Sequence, residues 1–191
     1  MTSKDRSPRG IREQIAHCAA RLMAQDHIDD FAMAKRKAIR QLGLPEGKHL
    51  PTNAEIETAL RQYRELYQPG HTQVVTHLRR TALQVMDQFV EFKPYLTGSV
   101  LSGLAGEHSD INLVIYTDNA KAVEVYCLNR GLDYRLEGGS EATYPTLAFY
   151  ADGSLVRLSV RPRNDERSWT KGPAESHERA RAAQVEALLA A

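Results

Sequence analysis

The sequence predicts an α/β (α+β) fold in which a mixed sheet flanked by helices follows a helical N-terminal region. Three observations carry that expectation. Apolar residues recur at helical spacing in four successive segments before residue 90, runs of strand length rich in β-branched and aromatic residues begin near residue 92, and helix and strand patterns alternate after that.

After a polar start at residues 1 to 8, Ile11, Ile15, Cys18, Ala19 and Leu22 form the stripe of a first helix. A second is expected to begin near Asp29, whose carboxylate suits an N-cap. It runs through Phe31, Ala34, Ala38 and Leu42 and stops at Gly43 and Pro45. Thr52 or Asn53 can cap a third, with Ile56, Leu60, Tyr63 and Tyr67 on one face and Pro69 and Gly70 at its end. The fourth holds Val74, Leu78, Ala82, Val85 and Phe89 in phase from about residue 71 to 90. Strands are expected over residues 92 to 96, 111 to 116, 134 to 137, 146 to 150 and 155 to 160. A helix capped by Asp118 and stopped by Gly131 separates the second strand from the third, and Asp152, Gly153 and Ser154 read as a hairpin turn. Beyond Pro162, a polar stretch over residues 163 to 173 carries Trp169 and leads to an Ala-rich helix over about 174 to 189. The domain reading is a helical region over 1 to 69 and a second domain over 70 to 191.

With 191 residues and 42% hydrophobic content the chain can bury a core without covalent staples. Cys18 and Cys127 are far apart and form neither a disulfide framework nor a zinc spacing, so both are expected reduced and buried. No apolar run approaches the roughly 20 residues of a membrane helix, and the expectation is a cytoplasmic protein with no membrane partner. A formal charge of +1 excludes strong nonspecific attraction of the whole molecule to nucleic acid. The seven histidines fall into no zinc-binding spacing, and no dinucleotide fingerprint, Walker loop or nucleophile elbow occurs. Lys35, Arg36, Lys37 and Arg40 lie opposite the apolar stripe of the second helix, where they form either a solvated face or a contact for RNA.

One string concentrates candidate chemistry: Gly98 and Ser99 just after the first strand, Gly103, then Ser109, Asp110, Ile111, Asn112 and Leu113. A glycine lets backbone approach a triphosphate, and a serine hydroxyl with helix N-terminal amides can donate to phosphate oxygens. Side chains on alternate strand positions point to one face, so Asp110 and Asn112 should share a cleft, with Gly98 and Ser99 across from them.

This arrangement resembles the nucleotidyltransferase superfamily, in which a Gly-Ser turn and short helix follow the first strand and an Asp-x-Asp pair opens the second. The resemblance covers about residues 71 to 162. It implies a nucleoside triphosphate bound near Gly98, Ser99 and Asp110, magnesium held by Asp110, and a nucleotidyl group moved onto an acceptor that could be a protein or an RNA.

The chain departs from the pattern in two places. Asn112 stands where a second carboxylate is expected, and the last strand, where a third is expected, carries Arg157, Ser159 and Arg161 on its polar face. Asp110 and Asn112 are therefore the candidate catalytic pair, and Gly98, Ser99, Arg157 and Ser159 the candidate phosphate contacts, with transfer weakened or lost. Glu107, His108 and Asp118 are possible surrogate ligands. The alternative is a noncatalytic nucleotide-sensing or interaction module on the same fold. For single residues, simpler roles remain open: Gly98 and Gly103 as ordinary turn glycines, Ser99 as a helix cap, Asp110 as a loop carboxylate paired with an arginine, and the Arg157 face directed to solvent.

Overall fold

The structure is a computed structural model and describes residues 7–26, 28, 30–45, 49–137, 144–168 and 179–190. The chain divides into two compact units, Met1–Thr72 and Gln73–Ala191. No helix of the described residues is long and apolar enough to cross a membrane.

In the first unit, helix α1 (Pro8–Gln25) packs against α2 (Phe31–Leu42) and α3 (Asn53–Tyr67). Each start has a physical cause. Ser7 accepts a hydrogen bond from the Gly10 amide ahead of Pro8, and Asp30 accepts from the Met33 amide. Thr52 and Glu55 form a reciprocal capping box at α3. The cap of α2 is Asp30; Asp29 lies outside the described residues. Gly43 closes α2 at φ +64°, where a side chain would be strained. Ile15, Ala19 and Ala20 of α1, Ala34 and Ala38 of α2, and Ile56 and Leu60 of α3 are buried.

The second unit holds most of α4 (His71–Gln88) and a six-stranded sheet. Its strands are β1 (Tyr95–Thr97), β2 (Ile111–Tyr116), β3 (Arg135–Glu137), β4 (Thr146–Ala151), β5 (Ser154–Arg161) and β6 (Arg179–Ala180). They run in the order β3-β4-β5-β2-β1-β6, with only β2 and β5 parallel, so the sheet is mixed. Around it lie α5 (Gly98–Ser102), α6 (Ala120–Asn129), the short α7 (Asp165–Ser168) and α8 (Ala182–Ala190).

Strand alternation divides the sheet into two chemically different faces. Leu96, Ile111, Leu113, Ile115, Leu147, Phe149, Val156, Leu158 and Val160 point one way and join Leu78 and Val85 of α4, Phe89 just after it, Val123 and Cys127 of α6 and Val185 of α8 in a single core. The other face carries Thr97, Asn112, Arg157, Ser159, Thr146 and Glu137, placed side by side by the strand register.

Three boundaries differ from expectation. Residues Val90–Phe92 form a 3-10 turn rather than the start of a strand; Lys93 leaves it at φ +50°, and β1 begins only after Pro94. The cap of α6 is Asn119, which accepts from the Ala122 amide at 3.1 Å, while Asp118 accepts from the Arg163 amide at 3.2 Å. The segment read as one helix over 174 to 189 contains β6 at its described start. There the free edge of β1 pairs with Arg179 and Ala180, and helix resumes at Ala182. Trp169 and residues 174 to 178 lie outside the described residues.

Candidate functional site

Strand β1 ends at Thr97, and the chain turns at once into α5 through Gly98, whose φ of +74° is left-handed. A Cβ at this position would lie 3.4 Å from Asn112 Nδ2, so Gly98 also sets the close approach of the turn to β2. Thr97 Oγ1 donates to the Asn112 carbonyl oxygen at 3.2 Å instead of capping α5. The first amides of α5 therefore have no side-chain cap. Ser99 sits in that first turn, half-buried, and its carbonyl accepts from the Leu104 amide and from Ser102 Oγ.

Asp110 immediately precedes β2, and Asn112 follows two residues on. Asn112 Nδ2 donates to the Asp110 carbonyl oxygen at 3.4 Å. Across the parallel ladder Asn112 is paired with Arg157 of β5. The Arg157 guanidinium does not point away from the group: its Nη1 forms an ion pair with the Asp110 carboxylate. Its Nε donates to Glu137 Oε2 of β3 at 2.9 Å. Glu137 in turn takes Arg135 Nη2 at 3.3 Å. Ser159 Oγ lies 3.1 Å from Thr146 Oγ1 in the next row of the same face.

The structure thus brings Gly98, Asn112, Asp110 and Arg157 into one connected group, with Ser159 beside it. Among the alternatives the sequence leaves open, the pairing of Asp110 with an arginine is present. Val156, Leu158 and Val160 fill the core, as their alternation requires, while Arg157 still reaches Asp110. Arg161 is exposed at the strand end. Glu107 and His108 are exposed in the turn before β2, and Asp118 is engaged with the Arg163 amide.

Glu137 is the residue sequence reasoning misses. The alternation in β3 puts Arg135 and Glu137 on one face, but only the pairing of β3 with β4 carries Glu137 toward β5. Ala148 of β4 lies between Arg157 and Arg135 in the register.

Paired magnesium ions in a nucleotidyltransferase need several carboxylate oxygens at one point. Here one carboxylate carries a guanidinium, the second position is an amide whose nitrogen faces a carbonyl, and β5 contributes Arg157 in place of an acid. Among the described residues no group of three His, Cys, Asp or Glu side chains is placed to hold a metal ion. This donor set does not fit a two-metal centre.

A second polar cluster sits at the β6 edge. The Arg179 and Arg181 guanidinium carbons lie 4.4 and 3.5 Å from the centre of the Tyr95 ring. Glu166 Oε1 accepts from Tyr95 Oη at 2.8 Å and from Arg181 Nη2 at 2.9 Å. Burial pushes the Tyr116 phenol above its usual range, with the neighbouring Arg179 opposing the shift. These contacts tie β6 and α7 to the sheet edge.

No family model and no curated protein matches the chain. Among solved structures it is similar to the Cid1 poly(U) polymerase, with 18% identity over 52% of this chain and 36% of that chain and a TM-score of 0.36. It is likewise similar to Cid1 in complex with the UTP analog UMPNPP, at 16% identity over 60% of this chain and 42% of that one, with a TM-score of 0.39. A third is the polymerase core of TRAMP, an RNA surveillance complex, at 15% identity over 82% of this chain and 48% of that one, with a TM-score of 0.30. The chain therefore spans 36% to 48% of the length of these polymerase chains. The six-stranded mixed sheet with its flanking helices is itself α/β in architecture.

Proposed function

We propose that the polar face of the sheet binds a nucleoside triphosphate near Gly98, Ser99, Asp110, Asn112, Arg157 and Ser159, and that nucleotidyl transfer to a protein or RNA acceptor is weakened or lost. The observation that carries this reading is the Arg157 guanidinium on the Asp110 carboxylate, at the position where the resemblance expects a metal. An arginine offers a planar fork of donors suited to phosphate oxygens without a divalent ion. The amides after Gly98, which have no side-chain cap, are further donors on this reading. On this reading residues 70 to 191 form the nucleotide-binding domain, residues 1 to 69 are a helical accessory region, and magnesium is required only where transfer is retained. The two buried free cysteines fit a reducing compartment such as the cytoplasm.

The test is calorimetric titration of the full chain with ATP, in magnesium and again in excess chelator, for wild type and Arg157→Ala. Binding that persists in chelator and falls in Arg157→Ala supports the reading. Binding that vanishes in chelator yet survives the substitution overturns it and restores a metal-dependent transferase.

A further inference from the structure

The charges across the polar face alternate in sign along one chain of ion pairs. Asp110 holds Arg157, Arg157 holds Glu137, and Glu137 holds Arg135, so the group sums to zero formal charge. An oxyanion approaching Arg157 meets a guanidinium that already carries two carboxylates on different nitrogens, Asp110 at Nη1 and Glu137 at Nε. Carboxylates and phosphates use the same guanidinium donors, so each carboxylate occupies positions a phosphate oxygen would take. The two acids also repel a phosphate placed between them.

We infer that Asp110 is an internal occupant of the phosphate position: the ladder holds the site in a self-occluded state, and a triphosphate binds by displacing the Asp110 carboxylate from Arg157. This rests on the nucleotide-binding reading above and adds to it how the site is regulated. Asp110 then acts against binding. That is the opposite of its role in a transferase, where it would hold metal and promote binding. Glu137 works in the same direction through the Nε edge.

The experiment titrates the full chain with ATP and with inorganic tripolyphosphate in excess chelator, using wild type, Asp110→Asn, Glu137→Gln and Asp110→Asn combined with Arg157→Gln. Removing one unit charge about 6 Å from a phosphate, at an effective dielectric of about 60, changes affinity about fivefold. Asp110→Asn and Glu137→Gln are each expected to bind both ligands about fivefold tighter than wild type, and the added Arg157→Gln is expected to erase the gain. If Asp110→Asn does not fold, Glu137→Gln makes the same test. Equal or weaker binding by the folded single variants, with wild type still binding, overturns the self-occlusion and leaves the nucleotide site standing. No binding by any of the four proteins overturns both.

Discussion

The ion pair between Asp110 and Arg157 should be measurable as a coupling energy within the sheet unit. Two unit charges about 4 Å apart attract by about 4 kcal/mol at an effective dielectric near 20, before desolvation is charged against them. The Arg157 and Asp110 side chains remain 37% and 22% exposed, so water screens the pair well below that figure. Exposed pairs contribute about 0.2–1 kcal/mol, while breaking a buried pair by removing one partner costs about 3–5 kcal/mol. A setting between these limits gives an expected coupling of about 1.5 kcal/mol. The assay is a double-mutant cycle of Asp110→Asn and Arg157→Gln, read by native-state hydrogen exchange of the β2 and β5 amides, which reports the opening energy of the sheet itself. Arg157→Gln should cost more than Asp110→Asn, because it removes the partner of Asp110 and one of the two arginines on Glu137. The double variant should cost less than the two singles added together. A coupling below about 0.3 kcal/mol, within the additivity of independent sites, would show that the two groups do not hold one another.

Two further substitutions test other parts of the sheet unit. Gly98→Ala forces a side chain into a left-handed residue 3.4 Å from Asn112 Nδ2, and should destabilise the β2 amides by about 1–2 kcal/mol; a loss under about 0.5 kcal/mol would mean that the turn relaxes. Burial pushes the Cys127 thiol up to about 11 from its ordinary value of 9.0. The folded state therefore keeps a proton that the unfolded state releases, and the stabilising contribution is full below pH 9.0 and lost as pH rises through about 11. Urea midpoints of wild type and Cys127→Ala should accordingly converge between those pH values, and a constant gap would refute the assignment.

How much of the fold is legible in the sequence depends on how local its cause is. Strand β2 is read within its own residues, because Ile111 to Tyr116 form an apolar, β-branched run that no helix period fits. The cap of α3 is also local, since Thr52 and Glu55 satisfy one another across a single turn. The early residues of β6 are a different case. Arg179 and Ala180 sit in an Ala- and Arg-rich stretch of high helix propensity, and they become strand because Leu96 and Thr97 present an edge with unpaired backbone groups. The stacking of Arg179 and Arg181 on Tyr95 adds a contact that the sequence places 84 residues or more away, and no propensity within the segment encodes it. The one-residue error at the cap of α6 is of a milder kind. Asp118 and Asn119 are equally good caps, and the choice falls to Asn119 because Asp118 is taken by the Arg163 amide after β5.

The candidate site divides along the same line. That Asp110 and Asn112 share a face follows from a period of two, and that Arg157 belongs to the polar side of β5 follows from the apolar Val156, Leu158 and Val160 between and beside it. Their meeting is not local, because it requires β5 to lie parallel beside β2 with Asn112 against Arg157. Glu137 is further still from sequence reach, since it depends on the order β3-β4-β5 and on the register across both pairs. These long-range placements determine the chemistry. With a carboxylate at 157 the face would gather negative charge around Asp110 and favour a cation. With arginine there, the same geometry gives a ladder whose charges cancel. On the self-occlusion proposed above, stability and binding conflict: the contacts that should give the Asp110–Arg157 pair its coupling energy are the ones a phosphate would have to break. Asp110→Asn should therefore lower the opening energy of β2 and tighten tripolyphosphate binding in the same protein.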